Sequence, residues 1–160
     1  MRIYRMCREK RAQSLEEAFN GVGASKIGGR WNPRGMPATY TSESTSLALL
    51  EILVHADLED LPDDLVCVSA HIPDSVNVYE LSISNLPKNW RNIDPAPSSL
   101  VTIGKNWIEK GEFLLMSIPS VIIPGERNFI VNPEHIEFSK LSDLKVQSFT
   151  IDPRLGIEFT

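Results

Sequence analysis

The chain has 160 residues, a formal charge of −5 and 42% apolar residues, with an isoelectric point near 5.2. That length supports one domain with a real core and is short for two, so residues 1–160 are read as a single domain. The acidic balance argues against a surface that grips nucleic-acid backbones, which calls for a basic patch, and no direct nucleic-acid binding is expected.

Cys7 and Cys67 stand far apart, without CxxC or Cys/His metal spacing, inside apolar strand-like runs. They are expected as reduced core residues. The opening Met1-Arg2-Ile3-Tyr4-Arg5 lacks the apolar stretch of a signal peptide, and no run reaches the length of a membrane span. A cytoplasmic location without membrane contact is expected.

Taken in order, Ile3 to Cys7 reads as a first strand interrupted by arginines. Leu15 to Phe19 reads as a brief helix with Ser14 as its cap and Glu16 and Glu17 in its first turn. Gly21, Gly23, Gly28 and Gly29 read as a flexible arm leading to Arg30; it has neither the lysine of a P-loop nor GxGxxG spacing. A short extended piece ends at Tyr40. Ser42, Ser44 and Ser46 then offer caps for an apolar helix from Leu47 to Leu53, predicted to be buried. Glu51 is the exception in that run. It either turns to solvent or a structural ion pair, or it is used chemically.

Asp57 to Asp64 is acidic and turn-like. Leu65 to Ile72 and Val76 to Leu81 read as strands, and the Pro73-Asp74 turn between them predicts an antiparallel pair. Leu86 to Ser99, with Trp90 and Arg91, reads as a proline-bearing loop, either a lid or an ordinary surface crossing. Ser99 to Glu112 reads as a helix with Ile103, Trp107 and Ile108 on one face and Lys105, Glu109 and Lys110 on the other. The apolar run Leu114 to Ile123 is broken by Pro119, which places the break at an edge or bulge, and Ser120 follows directly. Phe129 to Val131 reads as a strand flanked by Asn128 and Asn132, and Ile136 to Phe138 and Val146 to Ile151 are predicted to close the sheet. Strands outnumber helices, which predicts an α+β domain.

Gly28-Gly29-Arg30-Trp31-Asn32, Tyr40-Thr41, Ala48-Leu49-Leu50-Glu51 and Val54-His55, followed by Ile118-Pro119-Ser120 and Asn128-Phe129-Ile130-Val131-Asn132-Pro133, together resemble the RES domain from about Tyr4 to Phe138. That family is named for its arginine, glutamate and serine, and its members are toxins of bacterial toxin-antitoxin pairs. The resemblance implies an ADP-ribosyltransferase-like fold, a split antiparallel sheet with flanking helices around a cleft that holds NAD. It implies cleavage of the bond between nicotinamide and ribose, by hydrolysis or phosphorolysis, with some members transferring ADP-ribose to a protein. NAD is then the substrate, inorganic phosphate a candidate acceptor, and a cognate helix-turn-helix antitoxin the partner.

Breaking that bond leaves an oxocarbenium-like ribose, so a site must stabilise positive charge and hold the dinucleotide still. The resemblance assigns catalysis to Arg30, Glu51 and Ser120. Glu51 would bond ribose hydroxyls or orient the nucleophile, and Arg30 would hold the diphosphate. Tyr40 would stack on or hydrogen-bond the nicotinamide ribose end, and Ser120 would bond the carboxamide or a ribose hydroxyl. Arg5 occupies the place of a cleft-lining arginine or histidine in ADP-ribosyltransferases, and Asn128 lies in the later motif, where fixing a turn is the plain alternative. Those enzymes carry their essential glutamate late in the chain, so Glu126 stands as the alternative to Glu51. Trp31 reads as a core anchor and His55 as a packed or capping residue. His71 and His135 lack zinc spacing, and no metal is expected.

Overall fold

The computed structural model describes residues 1–55 and 61–156, and the first strand lies inside its sheet. β1 (Arg2–Arg8) touches β2 (Thr39–Ser42) through one register pair, Tyr4 opposite Ser42. On its other side β1 pairs along its whole length with β3 (Leu65–His71). Beyond these lie β4 (Val78–Glu80), β5 (Leu115–Pro119), β6 (Arg127–Val131) and β7 (Ser142–Ser148), in the order β4-β5-β6-β2-β1-β3-β7. Neighbours are antiparallel except β4 and β5, which are parallel. The sheet is therefore mixed, and it nearly parts between β1 and β2.

The helices start and stop where side-chain chemistry allows. α1 (Leu15–Phe19) begins as predicted, with the Ser14 hydroxyl accepting the Glu17 N–H at 3.1 Å. The stretch expected as a flexible arm is instead α2 (Val22–Ile27). Gly21 at φ 66° turns the chain into it, and Gly28 at φ 78° closes it by donating its N–H to the Ala24 carbonyl at 2.7 Å; these glycines punctuate the chain. α3 (Thr45–Leu53) uses Ser44 as its cap, accepting the Leu47 N–H at 3.1 Å. Its predicted burial holds for Leu47 and Ala48, whereas Leu49, Leu50, Ile52 and Leu53 are half-buried. α4 (Ser98–Lys110) turns Leu100, Gly104, Trp107 and Ile108 inward and ends at Gly111 in the left-handed conformation.

Alternation along the strands gives the sheet two faces. On the inner face, Ile3, Val68 and Ala70 from β1 and β3 join Leu115, Phe129 and Val131 from β5 and β6 in one buried cluster. The two halves thus curl over and pack against each other. Outside, α4 and the loop bearing Trp31 cover Met116, Ile118 and Ile130, and α3 covers Met6 and Cys67 through Ala48. Cys7 and Cys67 are free and buried in clusters on opposite faces.

Several expectations change. β3 and β4 do not pair: a turn in which the Val76 N–H meets the Pro73 carbonyl at 3.0 Å sends the chain to the far edge of the other half, brought near by the curl. Ile136–Lys140 is a 3₁₀ turn rather than a strand, because the His135 Nδ1 accepts the Glu137 N–H at 3.1 Å and starts it. Pro119 ends β5 within the sheet, opposite Arg127, and not at an edge or bulge. The last strand begins earlier than expected, at Ser142, and ends at Ser148. Of the acidic stretch, residues 57–60 lie outside the described residues; Asp63 and Asp64 form a turn.

Candidate functional site

Glu51 projects from α3 toward β6 and the turn that follows β5. Its Oε1 accepts a hydrogen bond from the Asn128 amide and another from the Ser120 hydroxyl at 3.4 Å. Asn128 is oriented in turn by Ser42, whose Oγ donates to Oδ1 at 2.6 Å. Ser120 is oriented by the turn that follows β5: its Oγ accepts the N–H groups of Ile122 and Ile123, each at 3.1 Å. The serine oxygen therefore receives two donors and has one proton to give, which it gives to the carboxylate. Charge-assisted bonds of this kind are the stronger class. Their effect here is to fix Glu51 in one orientation while leaving it only half-buried.

Arg30 approaches from the loop between α2 and β2. Its Nη2 donates to the Trp90 carbonyl and, at 3.0 Å, to the Asn92 carbonyl, while its buried Nε has no partner. Burial lowers its pKa, and the nearby Glu51 carboxylate and Tyr40 pull it back up; an arginine remains charged under these conditions. Arg30 and Glu51 are thus in electrostatic reach without a direct ion pair among the described residues. Part of the loop predicted as a lid is tied to Arg30, and its Trp90 is buried.

The Arg30 loop is itself held rigid. Tyr40 Oη accepts the Trp31 N–H at 2.9 Å and donates to Asn32 Oδ1 at 2.7 Å. The fully buried Asn32 amide donates to the carbonyls of Ala24, Pro33 and Met36 at 3.1, 3.2 and 2.9 Å. Burial pushes the Tyr40 hydroxyl well above its ordinary pKa, so it stays protonated. Gly29 is required beside it, since a Cβ there would lie 2.5 Å from Tyr40 Oη. From outside, α4 presses on the loop at Gly104, where a Cβ would come within 1.8 Å of the Trp31 carbonyl oxygen.

The structure therefore brings Arg30, Tyr40, Glu51, Ser120 and Asn128 to one outer face. It does not bring Arg5 there. Arg5 lies between Ile3 and Cys7 on the inner face and donates to the Ala18 carbonyl; burial lowers its pKa, offset by Cys7 and reinforced by Arg11. Glu126 contributes its backbone carbonyl, which accepts the Ser120 N–H at 2.9 Å, and its side chain makes no hydrogen bond to the cluster among the described residues. His55 is exposed, and His135 caps a turn. A hollow of about 620 Å³ between Glu16, Lys26, Pro133 and Glu134 is separate from the cluster.

Two contributors escaped the sequence. Ser42 reads as a helix cap, yet it is the last residue of β2 and orients Asn128. Asn32 closes the Gly28-Gly29-Arg30-Trp31-Asn32 motif, and the resemblance gives it no role. Its place just before Pro33 in a glycine-rich turn was the available signal, because a short amide there can satisfy several turn carbonyls.

A mixed seven-stranded sheet with helices on its outer faces defines an α+β fold, with the Glu51 cluster and Arg30 on one of those faces. The chain belongs to the RES domain family, which matches residues 2–152. It is 38% identical over 156 residues to Toxin Res of Yersinia enterocolitica, covering 97% of this chain and 99% of that protein. It is 39% identical over 157 residues to Toxin Res of Photorhabdus laumondii, covering 97% of each. The Prs ADP-ribosylating toxin of a Sphingobium species is 32% identical over 155 residues, 96% of this chain and 95% of that one. A chain in the crystal structure of the M. tuberculosis MbcT-MbcA toxin-antitoxin complex shares the fold, with a TM-score of 0.67 at 17% identity over 97% of this chain and 86% of that chain.

Proposed function

We propose that this chain is the toxin of a toxin-antitoxin pair and that it cleaves the nicotinamide–ribose bond of NAD. The observation that carries this reading is the Glu51 carboxylate, fixed by Asn128 and Ser120 within electrostatic reach of Arg30. As the bond breaks, its electron pair leaves with the pyridinium nitrogen to give neutral nicotinamide, and positive charge grows on the ribose. A carboxylate already oriented costs no reorganisation at that moment. Glu51 stabilises the cationic carbon and orients the nucleophile, while Arg30 holds the diphosphate. Water as nucleophile loses a proton and gives ADP-ribose; phosphate gives a ribose-1-phosphate ester.

Ser120 and Asn128 serve this chemistry by holding Glu51, and Tyr40 by holding the loop that presents Arg30. With its hydroxyl engaged, Tyr40 can meet substrate only through the part of its ring that is not packed against the cluster beneath α4. The partner is a helix-turn-helix antitoxin that covers the site, and the compartment is the cytoplasm; among the described residues no helix is long and apolar enough to cross a membrane.

Incubation of the folded protein with NAD, with and without phosphate, should release nicotinamide, and Glu51→Gln should slow the release by about a hundredfold or more at an unchanged melting temperature. Folded protein that releases none under either condition refutes the reading. A second reading, ADP-ribosyl transfer to a protein, draws on the name of the Sphingobium relative. Labelled ADP-ribose on a macromolecule would distinguish it.

A further inference from the structure

The two side chains that hold Glu51 come from neighbouring strands at a weak point of the sheet. Ser120 directly follows Pro119 at the end of β5, and Asn128 directly follows Arg127 at the start of β6. Pro119 and Arg127 stand opposite one another, but proline has no N–H to give to a ladder. Arg127 in turn commits both of its main-chain groups elsewhere. Its N–H donates to Glu43 Oε1 at 2.9 Å, and its C=O accepts the Glu43 N–H at 3.2 Å. The pair therefore lacks the reciprocal backbone bonds of a bonded antiparallel pair.

The Arg127 side chain makes the missing tie. Register places it with Ser117 and Phe129 on the inner face, opposite to the face on which Asn128 meets Glu51. From there its Nε donates to Ser117 Oγ at 2.5 Å, and its Nη2 donates to the carbonyls of Ser117 at 2.9 Å and Leu81 at 3.0 Å. The Leu81 N–H closes a ring on the same Ser117 carbonyl at 2.9 Å. Ser117 and Leu81 are buried, which shelters these bonds from competing water. Among the described residues this guanidinium forms no ion pair. Its donors go to a hydroxyl and two carbonyls, a use of its planar fork rather than of its charge. One residue thus joins the exits of β2 and β4 and the body of β5 to the start of β6.

That stitch lies where the site needs it. Ser120 and Asn128 both donate to a single carboxylate oxygen, Glu51 Oε1. Two donors converge on one atom when their strands keep their spacing to within about 0.5 Å.

We propose that Arg127 is a positioning residue of the site: working from the opposite face, it sets the distance between the β5 exit and the β6 start and so aims Asn128 and Ser120 at Glu51. The kinetic consequences rest on the NAD reading above, and Arg127 acts through these two side chains rather than on substrate.

Arg127→Met, which keeps an apolar stem, should lower kcat for nicotinamide release by about tenfold with KM nearly unchanged. A double-mutant cycle separates aiming from general loss of structure. In the Asn128→Ala background the same substitution should cost about twofold or less, because the principal donor it aims is gone. Equal losses in both backgrounds would mark a merely structural residue and overturn the proposal, as would an unchanged kcat. Glu43 is exposed, so it tests the same stitch without a buried change, even if Arg127→Met does not fold. Glu43→Ala should lower kcat by about threefold, and Glu43→Gln, which keeps an acceptor oxygen, should lose less; no loss in Glu43→Ala counts against the stitch. Independently of turnover, the side-chain amide signal of Asn128 in a nitrogen–proton NMR spectrum, assigned by its absence from Asn128→Ala, should move in Glu43→Ala and Arg127→Met. The signal of Asn32, held by other partners, should stay. An unmoved Asn128 signal refutes the positioning, whereas a moved one in a protein that releases no nicotinamide upholds it and refutes the cleavage reaction.

Discussion

Gly104→Ala tests how the fold carries the site. Two effects oppose each other. Alanine gains about 1 kcal/mol of helix propensity over glycine inside a helix such as α4. Its Cβ, however, would lie 1.8 Å from the Trp31 carbonyl oxygen and 2.7 Å from the carbonyl carbon. An ordinary contact requires about 3.5 Å or more, so helix and loop must separate by more than an ångström. The neighbour is backbone and not a side chain able to swing aside, and the loop is pinned by the amide of Asn32 and the hydroxyl of Tyr40. Overpacking of this severity belongs at or above the upper end of its usual range, about 3 kcal/mol. The steric term wins, with a net loss of about 2 kcal/mol. At about 2–4 °C per kcal/mol for a chain of this size, the melting temperature should drop by about 4–8 °C. Because the displaced loop presents Arg30, NAD cleavage at a temperature where the variant is fully folded should fall by about tenfold to a hundredfold. A variant that melts at or above the wild-type temperature refutes the reasoning.

Asn128→Ala should lower kcat by about tenfold to a hundredfold with little change in KM, since it removes a charge-assisted donor worth about 1.5–3 kcal/mol from Glu51; steady-state kinetics on NAD decide, and an unchanged kcat would remove Asn128 from the site. Tyr40→Phe should destabilise by about 1–3 kcal/mol in a denaturant titration, by leaving Asn32 Oδ1 and the Trp31 N–H without their partner. Tyr40 also sets an alkaline limit: burial raises its folded pKa above the ordinary 10.0, so the unfolded chain gives up that proton first and stability falls as pH climbs past about 10. Melting curves of Tyr40→Phe should show less of that fall than wild type; Cys7 and Cys67, also pushed up by burial, keep their share in both proteins.

Local chemistry made much of the fold legible. Ser14 with Glu17 and the serine cluster before Leu47 mark helix starts by hydrogen-bonding rules that act within a few residues, whereas the helix expected to run to Glu112 stops at Lys110 because Gly111 takes the left-handed conformation. Errors arose where distant parts decide. Pro73 and Asp74 do make a turn, but which strand follows it depends on how the two halves curl together. The short helix α2 hid among glycines because Gly21 and Gly28 lie at its ends, which composition alone does not reveal. For the site, Glu51 meets Ser120 and Asn128 across 69 and 77 residues. No periodicity reports such a meeting, and only resemblance to a family joined those positions. That route proposed Arg5 as well, which alternation along β1 turns to the other face.

The lone backbone pairing of Tyr4 with Ser42 has a mechanical consequence. The carboxylate rides on a helix anchored mainly to one side of this seam, while the amide and hydroxyl that steady it belong to the other. A separation too small to melt either side would already disconnect them. On titration with urea, catalysis should therefore fade at lower concentrations than the far-ultraviolet dichroism of the strands.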